Sequence, residues 1–290
     1  MLPLLYPASA DDILLFGLHG FAMSRLSGSW VGMKIVPDVA DATFSARPLS
    51  LPVPIIEPDI KVPDTGLHNR WPEMPIEQEM RQLDYRLPAI AAYCDANPLD
   101  EIRHRDGRSR IGIVAAGKSW NDLQEALRLL GLAPGDLERL GIALFKLAMV
   151  WPLQQAVQDF ASGLEDVIVV EEKGPLVEDQ LRAGLYGRTD APRIFGKTAG
   201  DGSVLFKATG ELYPELIARG LGKLLAERFP AEAFAVAMEK LPPTGVSLSL
   251  ESPVSAIRKP FFCSGCPHNR STVVPEGSRA LAGIGCGSCG

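Results

Sequence analysis

The 290-residue chain has no apolar run approaching the 18–20 residues that a helical membrane span requires. Its opening, Met1-Leu2-Pro3-Leu4-Leu5-Tyr6-Pro7, is apolar but short, is broken by two prolines and lacks a basic flank, so no signal peptide is read there. A basic excess is also lacking: with 29 Lys and Arg against 35 Asp and Glu the net charge is −6, which argues against a nucleic-acid partner. No internal repeat and no low-complexity tract occurs. Lys118 follows Gly117, but the full Gly-x4-Gly-Lys-Ser/Thr spacing is missing, so a phosphate loop is excluded. These absences predict a cytoplasmic globular protein with no membrane and no nucleic acid among its partners.

Cysteine is sparse and unevenly placed. Cys94 stands alone, whereas Cys263, Cys266, Cys286 and Cys289 crowd the C-terminal end. A secreted disulfide framework spreads its cysteines along a small chain; a cluster in a reducing compartment points to metal or redox chemistry. In Cys263-Ser264-Gly265-Cys266 two thiolates can bridge one centre, and Gly265 and Pro267 suit the tight turn between and after them. Thiolates serve iron–sulfur clusters and structural zinc equally, each with four ligands. Spacing does not separate the two, and His268 or Cys289 could complete a zinc site.

What fills the rest of the chain is a βα pattern. Residues 47–76 hold Pro48, Pro52, Pro54, Pro58, Pro63, Pro72 and Pro75, a density that prevents regular helix or central strand and predicts an extended connector. Glu77 to Asn97 has helical spacing, with a break or kink expected at Pro88. From Arg108 onward short apolar runs alternate with amphipathic segments. Arg110–Ala115 reads as a strand and Asp122–Leu130 as a helix stopped by Gly131. Gly141–Val150 reads as a run ending in a buried strand, and a helix opens at Pro152. Asp166–Val170 is the clearest strand, being all β-branched after its first residue. Helices follow through Val177, Leu181 and Leu185, then over Glu211–Phe229 and Ala231–Lys240. The alternation predicts an α/β fold with a parallel sheet covered on both faces. Glu171 and Glu172 end a strand, where open α/β sheets place ligands, although carboxylates there are more often simply solvated.

Phe262-Cys263-Ser264-Gly265-Cys266-Pro267-His268-Asn269, running on to Gly283-Ile284-Gly285-Cys286, resembles the opening of the thiamine-binding domain of indolepyruvate ferredoxin oxidoreductases. Gly17-Leu18-His19-Gly20-Phe21 through Trp30-Val31-Gly32 resembles the end of their pyrimidine-binding domain. Asn69-Arg70-Trp71-Pro72, Gly112 to Lys118, Met149 to Leu153 and Val169 to Lys173 resemble successive parts of the domain between. The resemblance covers nearly the whole chain in order. It implies a tail of the pyrimidine-binding domain over 1–50, a connector with a helix over 51–106, a transketolase-C-terminal-like α/β domain over 107–257, and the start of the thiamine-diphosphate-binding domain over 258–290.

The activity implied is oxidative decarboxylation of 2-oxoacids, arylpyruvates such as indolepyruvate among them, to acyl-CoA with ferredoxin as electron acceptor. Thiamine diphosphate, Mg2+ and a [4Fe–4S] cluster would be the cofactors. Cys263, Cys266 and Cys286 are the implied cluster ligands, and His268, Asn269, Gly283 and Gly285 the implied cofactor contacts. His19, Arg25 and Trp30 would line the pyrimidine-side face or serve packing. The thiamine diphosphate–magnesium motif, Gly-Asp-Gly followed by an asparagine pair, is not found and is expected after residue 290. The pyrimidine-activating glutamate is expected before residue 1. The chain is therefore expected to be inactive alone and to work with the remaining domains of the enzyme, as a homo-oligomer when complete. The competing reading is a non-catalytic scaffold holding structural zinc through Cys263, Cys266, Cys286 and Cys289.

Overall fold

The computed structural model describes residues 2–43, 53–230, 232–242 and 262–279. Met1–Thr244 forms one compact unit and Gly245–Gly290 a second. The segment borders expected near residues 50 and 258 lie outside the described residues.

Strand β1 (Leu4–Leu5) leads into helix α1 (Ala10–Ser27). Ser9 caps the helix, its hydroxyl accepting the Asp12 N–H at 3.1 Å, and Asp11 and Asp12 place negative charge on the first turn, where the helix dipole favours it. Phe16 and Met23 of α1 are buried against Leu5, Ile90, Tyr93 and Met149. Strand β2 (Gly32–Met33) and the one-turn helix α2 (Pro37–Ala40) follow. No helix or strand occurs among residues 53–74, as the proline density predicts.

Helix α3 (Pro75–Arg81) runs through a π turn (Gln82–Arg86) into α4 (Leu87–Ala96). The break expected at Pro88 is absent. Pro88 lacks an N–H, and its ring would press on the carbonyl of Asp84; the widened π turn contains that residue and carries the helix past it. Residues 101–104, expected within a connector, form strand β3 (Glu101–His104).

The chain then continues through β4 (Ile111–Ala116), α5 (Lys118–Leu129), α6 (Pro134–Leu140), β5 (Ile142–Leu147), β6 (Met149–Trp151), α7 (Gln155–Ala161), β7 (Asp166–Val170), α8 (Leu176–Leu185), β8 (Arg193–Phe195) and α9 (Pro214–Ala226), and all of these strands but β6 join the main sheet. Strand order is β3-β5-β4-β7-β8; β3 is antiparallel to β5 and the other pairs are parallel. The expected α/β parallel-sheet architecture is what is observed. Every residue of β4, β5 and β7 is buried, as a sheet covered on both faces demands. Alternation sends Ile113, Leu144 and Ile168 into a layer with α5 and α9, and Val114, Phe145 and Val169 into a layer with α7 and α8. Helix α10 (Glu232–Lys240) follows α9.

The apolar run 141–150 serves two sheets. β5 belongs to the main sheet, and β6 pairs antiparallel with β1 in a three-stranded sheet ordered β2-β1-β6. The chain crosses over at Ala148, whose carbonyl accepts the Tyr6 N–H at 2.8 Å and whose N–H donates to Asp100 Oδ1 at 2.7 Å. No helix among the described residues is long and apolar enough to cross a membrane. In the second unit the described residues form a turn followed by the four-residue helix α11 (His268–Ser271).

Candidate functional site

The Cys-x-x-Cys segment folds as its sequence suggests. The Cys266 N–H donates to the Cys263 carbonyl at 3.0 Å, closing a turn in which Gly265 takes φ +81°, a conformation that disfavours a side chain. Asn269 braces the turn from α11, its side-chain N–H donating to the same carbonyl at 3.0 Å. The Phe262 ring stacks on His268 with centroids 5.2 Å apart, and His268 Nδ1 lies 3.3 Å from Cys266 Sγ. Cys263 is exposed, Cys266 is half-buried, and both are free thiols.

Among the described residues no group of three His, Cys, Asp or Glu is placed to hold a metal. Cys263 and Cys266 fit a thiophilic centre by donor type and by their shared turn, and they supply two of the four ligands such a centre needs. Gly283, Gly285, Cys286 and Cys289 lie outside the described residues. His268 and Asn269 are brought beside the cysteines.

A second constellation, in the first unit, sits at the carboxyl ends of β4 and β7. Lys118 is buried at the start of α5, with its Nζ 2.7 Å from Asp122 Oδ2, 3.1 Å from the Leu212 carbonyl, 3.2 Å from Glu211 and 3.7 Å from Glu172. Burial works against the Lys118 ammonium, but Asp122, Glu211 and Glu172 outweigh it and hold its pKa above the ordinary lysine value. Glu172 also accepts the Leu212 N–H at 2.9 Å. Glu171 caps α8, accepting the Val177 and Glu178 N–H groups at 2.9 and 3.0 Å. Burial raises the Glu171 carboxyl above the usual range, against those two backbone bonds. Both glutamates are thus engaged in holding backbone, and neither is simply solvated.

The three residues singled out near the N-terminus do not converge. His19 is buried in the core, its Nδ1 2.8 Å from the Tyr93 hydroxyl, and burial lowers its pKa. Arg25 and Trp30 instead line a surface cavity of about 620 Å³ with Phe16 and Phe21.

Residues 101–244 match the model of the indolepyruvate oxidoreductase domain. The indolepyruvate oxidoreductase subunit IorA of Methanothermobacter thermautotrophicus is 24% identical over 92% of this chain and 38% of its own length. IorA of Archaeoglobus fulgidus is 30% identical over 71% of this chain and 30% of its own length. The chain belongs to the indolepyruvate oxidoreductase family.

The chain spans 38% of the length of the first of those relatives. Among solved structures it is similar to a 2-oxoglutarate:ferredoxin oxidoreductase from Magnetococcus marinus with 2-oxoglutarate, coenzyme A and succinyl-CoA bound (TM-score 0.46, 16% identity, covering 76% of this chain and 42% of that one). It is also similar to a split-gene transketolase (TM-score 0.39, 14% identity, covering 83% and 58%). Tyr6, Lys34 and Ser119, which meet at the carboxyl edge of the main sheet, carry no motif in the sequence; only the fold brings them together.

Proposed function

We propose that this chain is a segment of a thiamine-diphosphate-dependent 2-oxoacid:ferredoxin oxidoreductase that oxidatively decarboxylates arylpyruvates such as indolepyruvate to acyl-CoA. The observation that carries this reading is the collinear similarity to IorA over 92% of the chain. Bound thiamine diphosphate with Mg2+ would supply the electron sink for decarboxylation. Cys263 and Cys266, with Cys286, would ligate a [4Fe–4S] cluster through which electrons leave to ferredoxin. The turn supports this by presenting both thiols from one backbone loop, one exposed and one half-buried. His268 and Asn269, with Gly283 and Gly285, would approach the thiamine cofactor. His268 is oriented by the Phe262 ring and Asn269 by its bond to the Cys263 carbonyl, so both are held in place before any ligand arrives. Coenzyme A, ferredoxin and the remaining domains of the enzyme are the partners this activity requires.

Anaerobic purification of the full-length gene product, with iron, sulfide, zinc and thiamine diphosphate analysis, tests the proposal. Iron and sulfide should be present, should fall sharply in Cys263→Ser, and ferredoxin reduction should fall with them. Stoichiometric zinc without iron, or undiminished ferredoxin reduction in Cys263→Ser, would replace the redox reading with a structural thiolate site.

A further inference from the structure

Strands β4 and β7 are neighbours, yet the chain leaves them on opposite faces of the sheet. After β4 it enters α5 in one core layer; after β7 it enters α8 in the other. Such a divergence opens a crevice at the carboxyl ends of the two strands, the place where open α/β sheets hold ligands. Here the crevice encloses about 70 Å³, with Ala116 and Ser119 on the β4 side, Glu171 and Val177 on the β7 side, and Tyr6 and Lys34 from the N-terminal segment.

Two side chains in it are unusual. Tyr6 Oη and Ser119 Oγ are buried, with residue exposures of 7% and 1%; neither hydroxyl has an acceptor for its proton, and Tyr6 Oη faces only the Lys118 backbone N–H. A buried hydroxyl whose proton has no acceptor is destabilising. Two in one crevice, each from a different element, mark a place shaped for something that binds them. The first turn of α5 opens there as well, and no side chain caps it, so its leading N–H groups add partial positive charge. Gly117 is required at this point: its φ is +52°, and a Cβ would sit 2.2 Å from the Tyr6 ring, so the ring can lie directly on the start of the helix.

The polarity of the crevice follows from which groups are already satisfied. Its two carboxylates are engaged, Glu171 by the backbone of α8 and Glu172 by the Leu212 N–H and Lys118. Lys34, whose Nζ lies 4.4 Å from the centre of the Tyr6 ring, has no carboxylate partner among the described residues. Burial and the charge of Glu172 push the Tyr6 phenol up to about 12, so at neutral pH it remains a donor. What is left over is therefore donors: two hydroxyls, a helix N-terminus and an ammonium. The remaining wall is apolar, with Leu147, Val150 and Leu176.

We propose that this crevice binds a small aliphatic monocarboxylate, its carboxylate received by Ser119, Tyr6, the first turn of α5 and Lys34, and its short tail by Leu147, Val150 and Leu176. At about 70 Å³ the cavity is far smaller than an arylpyruvate, so the site is separate from any arylpyruvate site. It does not depend on thiamine or iron–sulfur chemistry.

The test is titration of the purified 290-residue chain with butyrate at neutral pH, followed by calorimetry and ligand-observed NMR, with butyramide as the uncharged control. Butyrate should bind saturably and butyramide should not compete. Ser119→Ala and Tyr6→Phe should each weaken butyrate about 10- to 150-fold, the loss of one hydrogen bond to a charged acceptor. Lys34→Met should weaken it in the same direction. Ser119→Ala removes one atom and Lys34→Met lies at the mouth, so these two keep the test decisive if Tyr6→Phe fails to fold. Absence of saturable binding, equal binding of butyramide, or unchanged affinity in Ser119→Ala and Lys34→Met would overturn the proposal. A crystal structure grown with butyrate that shows only ordered waters bridging the two hydroxyls would overturn it as well.

Discussion

Lys146 Nζ lies 2.7 Å from Asp12 Oδ1, joining residues 134 positions apart, and both side chains are almost fully buried. Lys146 stands on β5 and Asp12 in the first turn of α1, so the pair fixes the N-terminal helix to the main sheet. The other oxygen of the same carboxylate, Asp12 Oδ2, accepts the Ala8 N–H at 2.9 Å and so shapes the entry to α1. Lys146 Nζ also lies 3.4 Å from Glu101, but that carboxylate is exposed to solvent and compensates a buried ammonium only in part. A buried charge left fully unpaired costs on the order of 3–5 kcal/mol, so Asp12→Ala should lower unfolding stability by about 2–3 kcal/mol. The double variant Asp12→Ala/Lys146→Met should recover part of the loss, because no bare ammonium is left behind. Denaturant midpoints of the three proteins measure this; a double variant as unstable as the sum of its single changes would show that the two charges are not coupled.

Gly117 gives a sharper geometric prediction. Alanine there must adopt φ +52° and also displace the Tyr6 ring, since the added carbon would sit 2.2 Å from a ring atom. Strain of this kind costs of order 1–3 kcal/mol, and the steric overlap adds to it. Gly117→Ala should lower the melting temperature by several degrees, and Tyr6→Ala in the same background should relieve the overlap without relieving the backbone strain. If the Gly117→Ala chain melts with the wild type, the Tyr6 ring does not rest on the start of α5.

How far these features can be read in advance depends on whether their cause is local. Asp166–Val170 announces itself because four consecutive β-branched residues suit a pleated, fully buried strand and little else. Helix α1 is harder to see. Gly17, Gly20 and its apolar run mask the helical period, although Ser9 and the acids at 11 and 12 mark its start. The run 141–150 reads as one apolar segment because nothing in it states that the chain changes sheets at Ala148. That change is decided by Tyr6 and Asp100, which lie 142 and 48 positions away along the chain. Pro88 predicts a break by its own chemistry, and the π turn before it absorbs the effect. The thiolate turn is legible from Cys263-x-x-Cys266 alone, whereas the buried hydroxyls of Tyr6 and Ser119 become notable only once the fold has brought them together.

Asp100 offers a prediction that rests on proton linkage. Burial raises its carboxyl from 3.8 to about 6, against the lowering effect of the Ala148 and Met149 N–H groups. A carboxyl whose folded pKa exceeds its unfolded value holds its proton more tightly in the folded chain. Its stabilising contribution is complete below the unfolded value and is lost as pH rises through about 6. A difference of about two units corresponds to roughly 3 kcal/mol between the protonated and ionised limits. Asp100→Asn keeps an oxygen for the Ala148 N–H and never ionises, so it should escape this loss. Urea unfolding of the two proteins at several pH values isolates the effect, because every other titrating group is common to both and cancels in the difference. The variant should be close to wild type near pH 4 and should gain on it steadily, reaching an advantage of about 3 kcal/mol above pH 7. Stability curves that stay parallel across that range would mean Asp100 titrates alike in the folded and unfolded chain. The crossover at Ala148 would then be held by a carboxylate that water reaches freely.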